Sequence, residues 1–513
     1  MSRERWNSRT IFILAAIGSA VGLGNAWRFP GQAFMNGGGA FLIPYFVALV
    51  TAGIPLLILE HAIGRKYQSG APIALKRVNG KAEPLGWWAL ATSFVIVSYY
   101  CVVMAWVIDY IWYSLTVAWK DGPADFFIGK VLHLSEGPGV LGGFSVPVLI
   151  GLIIAWISVW FCIRNGVKSV GKVVLWTVPI PVVLLAVLVV RAITLPGAAE
   201  GLAYYLTPDW AALLKPGVWA AAYGQVFFSL SILFGIMIAY GSYLNKDSDL
   251  TTDGLIISFA DAGISFLAGF AVFGTLGYLA GVTSTPIKDM KFQGVFLAFA
   301  TYPEAINKLP GGTIVAVIFG LLFVLMLFTL AIDSAFSIVE GIVTGLVDKF
   351  GWNKNKTTVW TCVVGFLGSL IFATKAGLYW LDITDHWVND FNLITIGIFE
   401  CFVVGWIFGA RKLREYFNKT STVKFGVWWD IMIRFVTPIV LLYISVSYLI
   451  ENIKNNYGGY ESKYLIIGGW GVLVVTIIAG FVVSFFKGKE TTDESEEEAG
   501  EEKVEAAIAE KEG

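Results

Sequence analysis

Twelve apolar segments of membrane-spanning length leave this chain few ways to fold. They lie near 11–35, 40–65, 87–118, 145–162, 171–191, 216–244, 254–283, 313–347, 357–374, 388–410, 429–452 and 463–486. Each is long enough to cross about 30 Å of hydrocarbon, and several exceed the minimum, which implies tilt or extension beyond the bilayer. In that medium a backbone survives only where its polar groups are paired internally. With 57% hydrophobic and only 14% charged residues, the chain is expected to be an all-α polytopic membrane protein of twelve transmembrane helices. No cleavable signal peptide is expected, because Arg3, Arg5 and Arg9 precede the first segment and no small-residue cleavage site follows it.

The first segment is a poor continuous helix. Gly22, Gly24, Asn25, Arg28 and Pro30 crowd one short stretch of it, and glycine and proline both disfavour helix interiors. A helix that breaks at membrane depth must be buried in protein or line a cavity. Its freed carbonyls can hold a cation, and the N-terminal end of its second half can hold an anion. The sixth segment has the same defect, with Gly224, Gln225, Ser229, Ser231 and Gly235 in its middle. Taken alone, those small residues are equally explained by close helix packing. Breaks in segments one and six together are the pattern of a 5+5 inverted repeat. The expected organisation is an N-terminal cytoplasmic segment (1–10), a first repeat (11–191), a second repeat (216–410), two further helices (429–486) and an acidic tail (487–513).

Ionisable side chains at membrane depth are expensive and point to function. Glu60, Asp109, Asp261, Asp333, Glu340 and Glu400 are of this kind. Asp333 and Ser334, in an otherwise apolar stretch, are hard oxygen ligands suited to Na⁺ beside backbone carbonyls. Glu60 suits a structural role, accepting hydrogen bonds from N–H groups orphaned in the broken helices. Twenty Lys and Arg in the segments on the N-terminal side, against about ten on the other, place both termini in the cytoplasm. From Glu490 to Gly513 eleven acids and two lysines give −9 of the chain's net −1, so this tail is expected to be disordered. Cys101, Cys162, Cys362 and Cys401 all lie in apolar segments and are read as small buried hydrophobes. His61, His133 and His386 form no constellation, no phosphate-binding loop is present, and neither an enzyme nor a nucleic-acid partner is expected.

Several ordered motifs carry a specific resemblance. They are Gly18-Ser19-Ala20-Val21-Gly22-Leu23-Gly24-Asn25, Trp27-Arg28-Phe29-Pro30, the run from Asn36 to Phe41, Gly53-Ile54-Pro55, and Glu60 with Gly64. Further on come Tyr99-Tyr100, the run from Gly224 to Ser229, Gly277-Tyr278, Tyr302-Pro303-Glu304-Ala305 and Trp406-Ile407-Phe408-Gly409. Over about 5–487 the chain resembles the neurotransmitter:sodium symporters, and among them the bacterial leucine and hydrophobic amino acid transporters.

The resemblance implies two Na⁺ sites. One would use the Ala20 carbonyl, Asn25, Ser229, Asp261 and the substrate's own carboxylate, a shared contact by which ion and substrate raise each other's affinity. The other would use the Gly18, Val21 and Leu330 carbonyls with Asp333 and Ser334. The substrate carboxylate would meet the N–H groups near Leu23 and Gly24 and the Tyr100 hydroxyl. Its amino group would face carbonyls of Ala20, Phe228 and Ser231, and Ile96, Phe228, Phe234 and Ile338 would line the side-chain pocket. Arg28 and Asp385 would form an outer gate with Tyr100 and Phe234 as lid. Arg3 and Asp348, with Trp6 beside them, would form an inner one. Gly171 and Pro181 would let the fifth helix unwind and hydrate the second sodium site.

Gly22 bears on the substrate. Monoamine transporters of the family carry aspartate there; glycine leaves the negative charge to the substrate, which fits an amino acid. The apolar pocket then favours Leu, Ile, Val, Met, Phe, Tyr or Trp. The resemblance therefore implies a sodium-coupled symporter of hydrophobic amino acids in a plasma membrane, prokaryotic by its short 119–144 loop. The alternatives are a symporter of another small zwitterion (glycine, GABA or a betaine) and a non-transporting amino acid sensor. Two positions depart from the pattern. Asp261 stands where many members have asparagine and need chloride, the chloride-site positions being Tyr45, Gln225, Ser229 and Ser265. Two Na⁺ and an ammonium are already balanced by Asp261, Asp333 and the substrate carboxylate, so transport is expected to be chloride-independent. Leu233 stands where the bacterial leucine transporter has glycine, which bears on pocket size. The segment 202–209 is expected to be an ordinary extracellular loop.

Overall fold

The computed structural model describes residues 3–290 and 294–488. All but the first two residues of the expected acidic tail therefore lie outside the described residues. Among the described residues there is no strand, only isolated bridges between Gly38 and Pro208 and between Phe144 and Thr374. The protein is an all-α polytopic membrane protein.

The first apolar segment is a bent pair, α1 (Arg9–Ala20) and α2 (Gly24–Met35), meeting at 52°. There follow α3 (Gly39–Tyr67), α4 (Glu83–Ser114), α5 (Val146–Ile163) and α6 (Val167–Ile193). The sixth segment is split into α7 (Pro216–Ser229) and α8 (Ile236–Ser242). Then come α9 (Leu250–Thr283), α10 (Gly312–Phe350), α11 (Lys354–Ala373), α12 (Gly377–Asn418), α13 (Val427–Gly459) and α14 (Ser462–Phe485). Ten of these are long and apolar enough to cross a membrane, and the bent pair is an eleventh. The expected number of twelve is reached only if α7 and α8, each too short alone, count as one crossing.

Helices α1 and α8 lie at the centre. α1 packs on α6, α9 and α10, α8 packs on α3, and α10 runs along α4. Close approach makes this possible: a Cβ at Gly64 of α3 would collide with the Ile238 carbonyl of α8. Two boundaries differ from expectation. α12 starts at Gly377 rather than near 388, so Asp385 is on a helix. The 202–209 loop is largely helix, Ala198–Leu206. Gly201 lets that helix settle onto the Phe273 carbonyl of α9, and Tyr205 stacks on Phe273 with ring centroids 4.7 Å apart, burying a large aromatic that a loop would leave wet. The stretch from Gly171 to Pro181 is helical in this structure apart from Val178. Pro179 and Pro181 fall in the first turn after that residue, where a missing N–H costs little.

Candidate functional site

The break between α1 and α2 reroutes backbone hydrogen bonds. Val21 leaves the helix at φ −78°, ψ 99°. The Gly22 N–H is donated to Asn25 Oδ1 at 2.9 Å, the Leu23 N–H to the Tyr100 hydroxyl at 3.3 Å, and the Asn25 N–H to the Gly22 carbonyl at 3.1 Å. In an unbroken helix these three would bond the carbonyls of Gly18, Ser19 and Val21. The Ser19 carbonyl instead accepts from Ser231 Oγ at 2.8 Å and Ser334 Oγ at 3.3 Å. Between α7 and α8 the chain turns through Ser231 (φ +51°), Leu233 (φ +73°) and Gly235 (φ +74°). Left-handed backbone costs a non-glycine residue about 1–2 kcal/mol, so something must hold it. Glu60, fully buried, accepts the Leu233 N–H at 2.5 Å.

The two breaks and the middles of α4 and α10 enclose a cavity of about 30 Å³. Its walls are Ala20, Leu23, Gly24, Ile96, Tyr100, Phe228, Ser229, Ser231, Phe234 and Ile338, together with Ser19, Gly22, Asn25 and Ser334. Every residue expected to touch substrate is thus in one wall. Ser19 was not foreseen; its part is played by a carbonyl, which no side-chain pattern announces. The volume holds about a water or two, so an amino acid requires the walls to move apart. Both glycines are closely approached: a Cβ at Gly22 would lie 2.5 Å from Ser334 Oγ, and one at Gly24 would lie 2.7 Å from Phe228 Cε1. Leu233 does not line the cavity. Its side chain packs against Gly397 of α12, where a Cβ would meet Leu233 Cδ1 at 2.8 Å, so the expected effect on pocket size is not direct.

Oxygen atoms gather on two sides of this cavity. On one, Asn25 Nδ2 is 3.0 Å from Ser229 Oγ, 2.7 Å from Asp261 Oδ1 and 2.7 Å from Ser265 Oγ, while Ser229 Oγ donates to Asp261 Oδ2 at 2.7 Å. All four side chains are buried. On the other, Asp333 approaches α1 so closely that a Cβ at Gly18 would lie 2.8 Å from its Oδ2. Asp333 Oδ1 is buried without a hydrogen-bond partner, and Ser334 and the Leu330 carbonyl are beside it, 3.5 Å apart. A buried carboxylate oxygen with no donor, next to carbonyls released from a helix, is the donor set a hard cation requires. The Tyr45 hydroxyl and the Gln225 amide are also buried without partners.

The two pairs expected as gates differ. Arg3 Nη1 reaches Asp348 Oδ1 at 2.5 Å, and Asp348 Oδ2 accepts the Gly70 N–H at 2.6 Å. The Arg3 guanidinium also lies 4.9 Å over the Tyr243 ring, and Trp6, buried beside it, donates to the Tyr240 carbonyl at 3.0 Å. A second ionic knot was not foreseen. Lys354 Nζ bridges Glu4 Oε2 and Glu340 Oε1, each at 2.7 Å, and Tyr243 donates to the same Glu340 oxygen at 2.8 Å. Its signal was available: a buried Glu340 demands a cation, and Lys354 is the first lysine past the end of α10. At the other end Arg28 and Asp385 are not joined directly. Asp385 Oδ1 accepts from the Tyr99 hydroxyl and from Asn389, both at 2.7 Å. Arg28 instead lies 4.5 Å over the ring of Phe228, its Nη1 buried without a hydrogen bond. Phe228 and Phe234 meet edge to face at 6.5 Å.

Comparison with known proteins agrees with this architecture. The sequence model of the sodium:neurotransmitter symporter family matches residues 3–123 and 120–490. An uncharacterized sodium-dependent transporter of Methanocaldococcus jannaschii is 42% identical over 496 residues, covering 96% of this chain and 99% of its own. The sodium- and chloride-dependent GABA transporter 2 of Homo sapiens is 34% identical over 90% of this chain and 82% of its own. The sodium- and chloride-dependent taurine transporter of Rattus norvegicus is 32% identical over 93% and 83%. By its sequence over nearly its whole length, this chain belongs to the sodium:neurotransmitter symporter family and is a sodium-dependent symporter.

Proposed function

We propose that this symporter imports hydrophobic and aromatic amino acids, each with two Na⁺, by alternating access between two inverted five-helix repeats. Both termini lie in the cytoplasm. The observation that carries this reading is the cavity wall, which joins the apolar side chains of Ile96, Phe228, Phe234 and Ile338 to the backbone of Leu23 and Gly24 and the Tyr100 hydroxyl. A zwitterion with an apolar side chain suits that division, and Gly22 leaves no protein carboxylate to replace the substrate's. One Na⁺ binds among the Ala20 carbonyl, Asn25, Ser229, Asp261 and the substrate carboxylate. The other binds among the Gly18, Val21 and Leu330 carbonyls, Asp333 and Ser334. Arg28 with Asp385, and Arg3 and Trp6 with Asp348, gate the two ends. Asp261 serves as the fixed negative charge beside the first ion and makes chloride unnecessary.

A second reading, import of a smaller zwitterion, has its own support in the GABA and taurine transporters among the relatives and in a cavity of about 30 Å³. Uptake of labelled Leu, Trp, Gly and GABA into proteoliposomes, with an inward Na⁺ gradient against a K⁺ control, decides between them. The proposal expects Leu or Trp to accumulate only with Na⁺. Accumulation of Gly or GABA alone selects the smaller zwitterion, and Na⁺-dependent binding without any accumulation makes the protein a sensor.

A further inference from the structure

A groove of about 790 Å³ lies between α4, α10 and α11. Phe94 of α4, Leu346 of α10, and Trp360 and Val364 of α11 form its apolar walls, and Trp352 and Lys356 stand at one end. That end is the one marked by the Arg3–Asp348 pair, since α10 finishes at Phe350 and α11 begins at Lys354. Trp352 is 53% exposed, Trp360 67% and Val364 49%, so on a membrane-spanning helix these side chains face lipid.

Three observations say what fills the groove. The first is length. From Asn353 to Val364 is twelve residues of helix and cap, eleven rises or about 16 Å at 1.5 Å per residue, which is about half of a 30 Å hydrocarbon core. The groove therefore has the reach of one leaflet. The second is charge. No carboxylate lines the groove, and its one cation, Lys356, makes no ion pair among the described residues, whereas its neighbours Lys349 and Lys354 are both paired with glutamates. The third is the indole pair, the side chain that prefers the level of lipid headgroups.

We propose that this groove holds one anionic phospholipid of the leaflet on the N-terminal side. Its phosphate meets the Lys356 ammonium, its glycerol region lies between Trp352 and Trp360, and an acyl chain runs along Leu346 and Val364. The wall it covers belongs to α10, which also carries Asp333, Ser334, Ile338 and Asp348, so a bound lipid braces the helix that links the ion site to the inner gate.

The test uses the full chain in phosphatidylcholine bilayers containing a minor fraction of brominated phosphatidylglycerol or brominated phosphatidylcholine. Quenching of Trp360 is read as the difference between the unaltered protein and Trp360→Phe. One lysine at an anionic surface predicts about a five-fold preference for the glycerol headgroup, abolished in Lys356→Gln. A Val364→Trp variant, which fills the groove, is expected to lose that specific quenching while Lys356 remains. Equal quenching by both lipids, or a preference that survives Lys356→Gln, overturns the proposal. So does absence of quenching together with a dimer on cross-linking, which would mean that a second copy covers the groove.

Discussion

The two ends of the bundle are closed by different physics. At the N-terminal side, Arg3, Lys354, Asp348, Glu340 and Glu4 form a network of ion pairs, supported by Tyr243 and by a backbone N–H from Gly70. At the opposite end Asp385 is satisfied by neutral donors, and Arg28 rests on an aromatic face. A buried ion pair is costly to break one-sidedly, because the remaining charge is stranded. A cation over a ring loses far less on leaving. In this structure one end is tied by ion pairs and the other by a cation over a ring, and a small cavity lies between them.

Breaking the stronger latch has the largest expected effect. Lys354→Met leaves Glu340, 1% exposed, without its cation, at a cost of about 3 kcal/mol, more than a hundred-fold shift toward an open inner side. Steady-state accumulation of labelled substrate in proteoliposomes should collapse, while counterflow exchange and Na⁺-dependent binding in detergent persist. Arg3→Ala is milder, because Asp348 keeps the Gly70 N–H. A loss of about 2 kcal/mol should raise, by about thirty-fold, labelling of an Ala16→Cys variant by an impermeant thiol reagent; Ala16 is fully buried on α1 while the Arg3 pair is intact. Labelling unchanged by Arg3→Ala would mean that the Arg3 pair is not a latch.

At the opposite end the effects are smaller. Arg28→Ala removes an interaction worth about 0.5–2 kcal/mol. Substrate on- and off-rates should rise together, by up to about thirty-fold, with little change in equilibrium affinity. A collapse of accumulation as complete as that of Lys354→Met would erase the contrast between the ends. Smallest of all is the expected effect of replacing chloride by gluconate, which should leave initial uptake unchanged. The same replacement should slow an Asp261→Asn variant, since that substitution removes the fixed charge. Chloride dependence in the unaltered protein would assign the unpartnered Tyr45 hydroxyl and Gln225 amide to an anion and remove Asp261 from that role.

Much of the site was legible because it is written in side-chain chemistry that the bilayer makes expensive. Gly22, Gly24 and Asn25 in an apolar run require a broken helix, and Glu60, Asp261 and Asp333 at membrane depth require partners. Those demands marked Asp333 and Ser334 as oxygen ligands and Glu60 as a structural acceptor, while the cavity wall and the Asn25–Asp261 cluster followed from the resemblance to the symporter family. The length of apolar runs likewise located the helices, failing at the ends of α12 and at Ala198–Leu206, where aromatic and small residues near the interface read the same in a loop as in a packed helix. What escaped were choices between partners. Arg28 lies over Phe228 rather than against Asp385, Lys354 ties Glu4 to Glu340, and Leu233 turns its side chain to Gly397.

The sequence by itself determined that this chain spans a membrane as helices, where two of them must break, and which polar groups gather at the breaks. Burial energies for those features are large and local, so they leave little freedom. Only the tertiary structure decided which end is latched, how small the cavity is, and which carbonyls are taken up by Ser231 and Ser334. Those outcomes rest on contacts between segments hundreds of residues apart that differ by a few kcal/mol, a margin that also lets a transporter exchange one arrangement for the other.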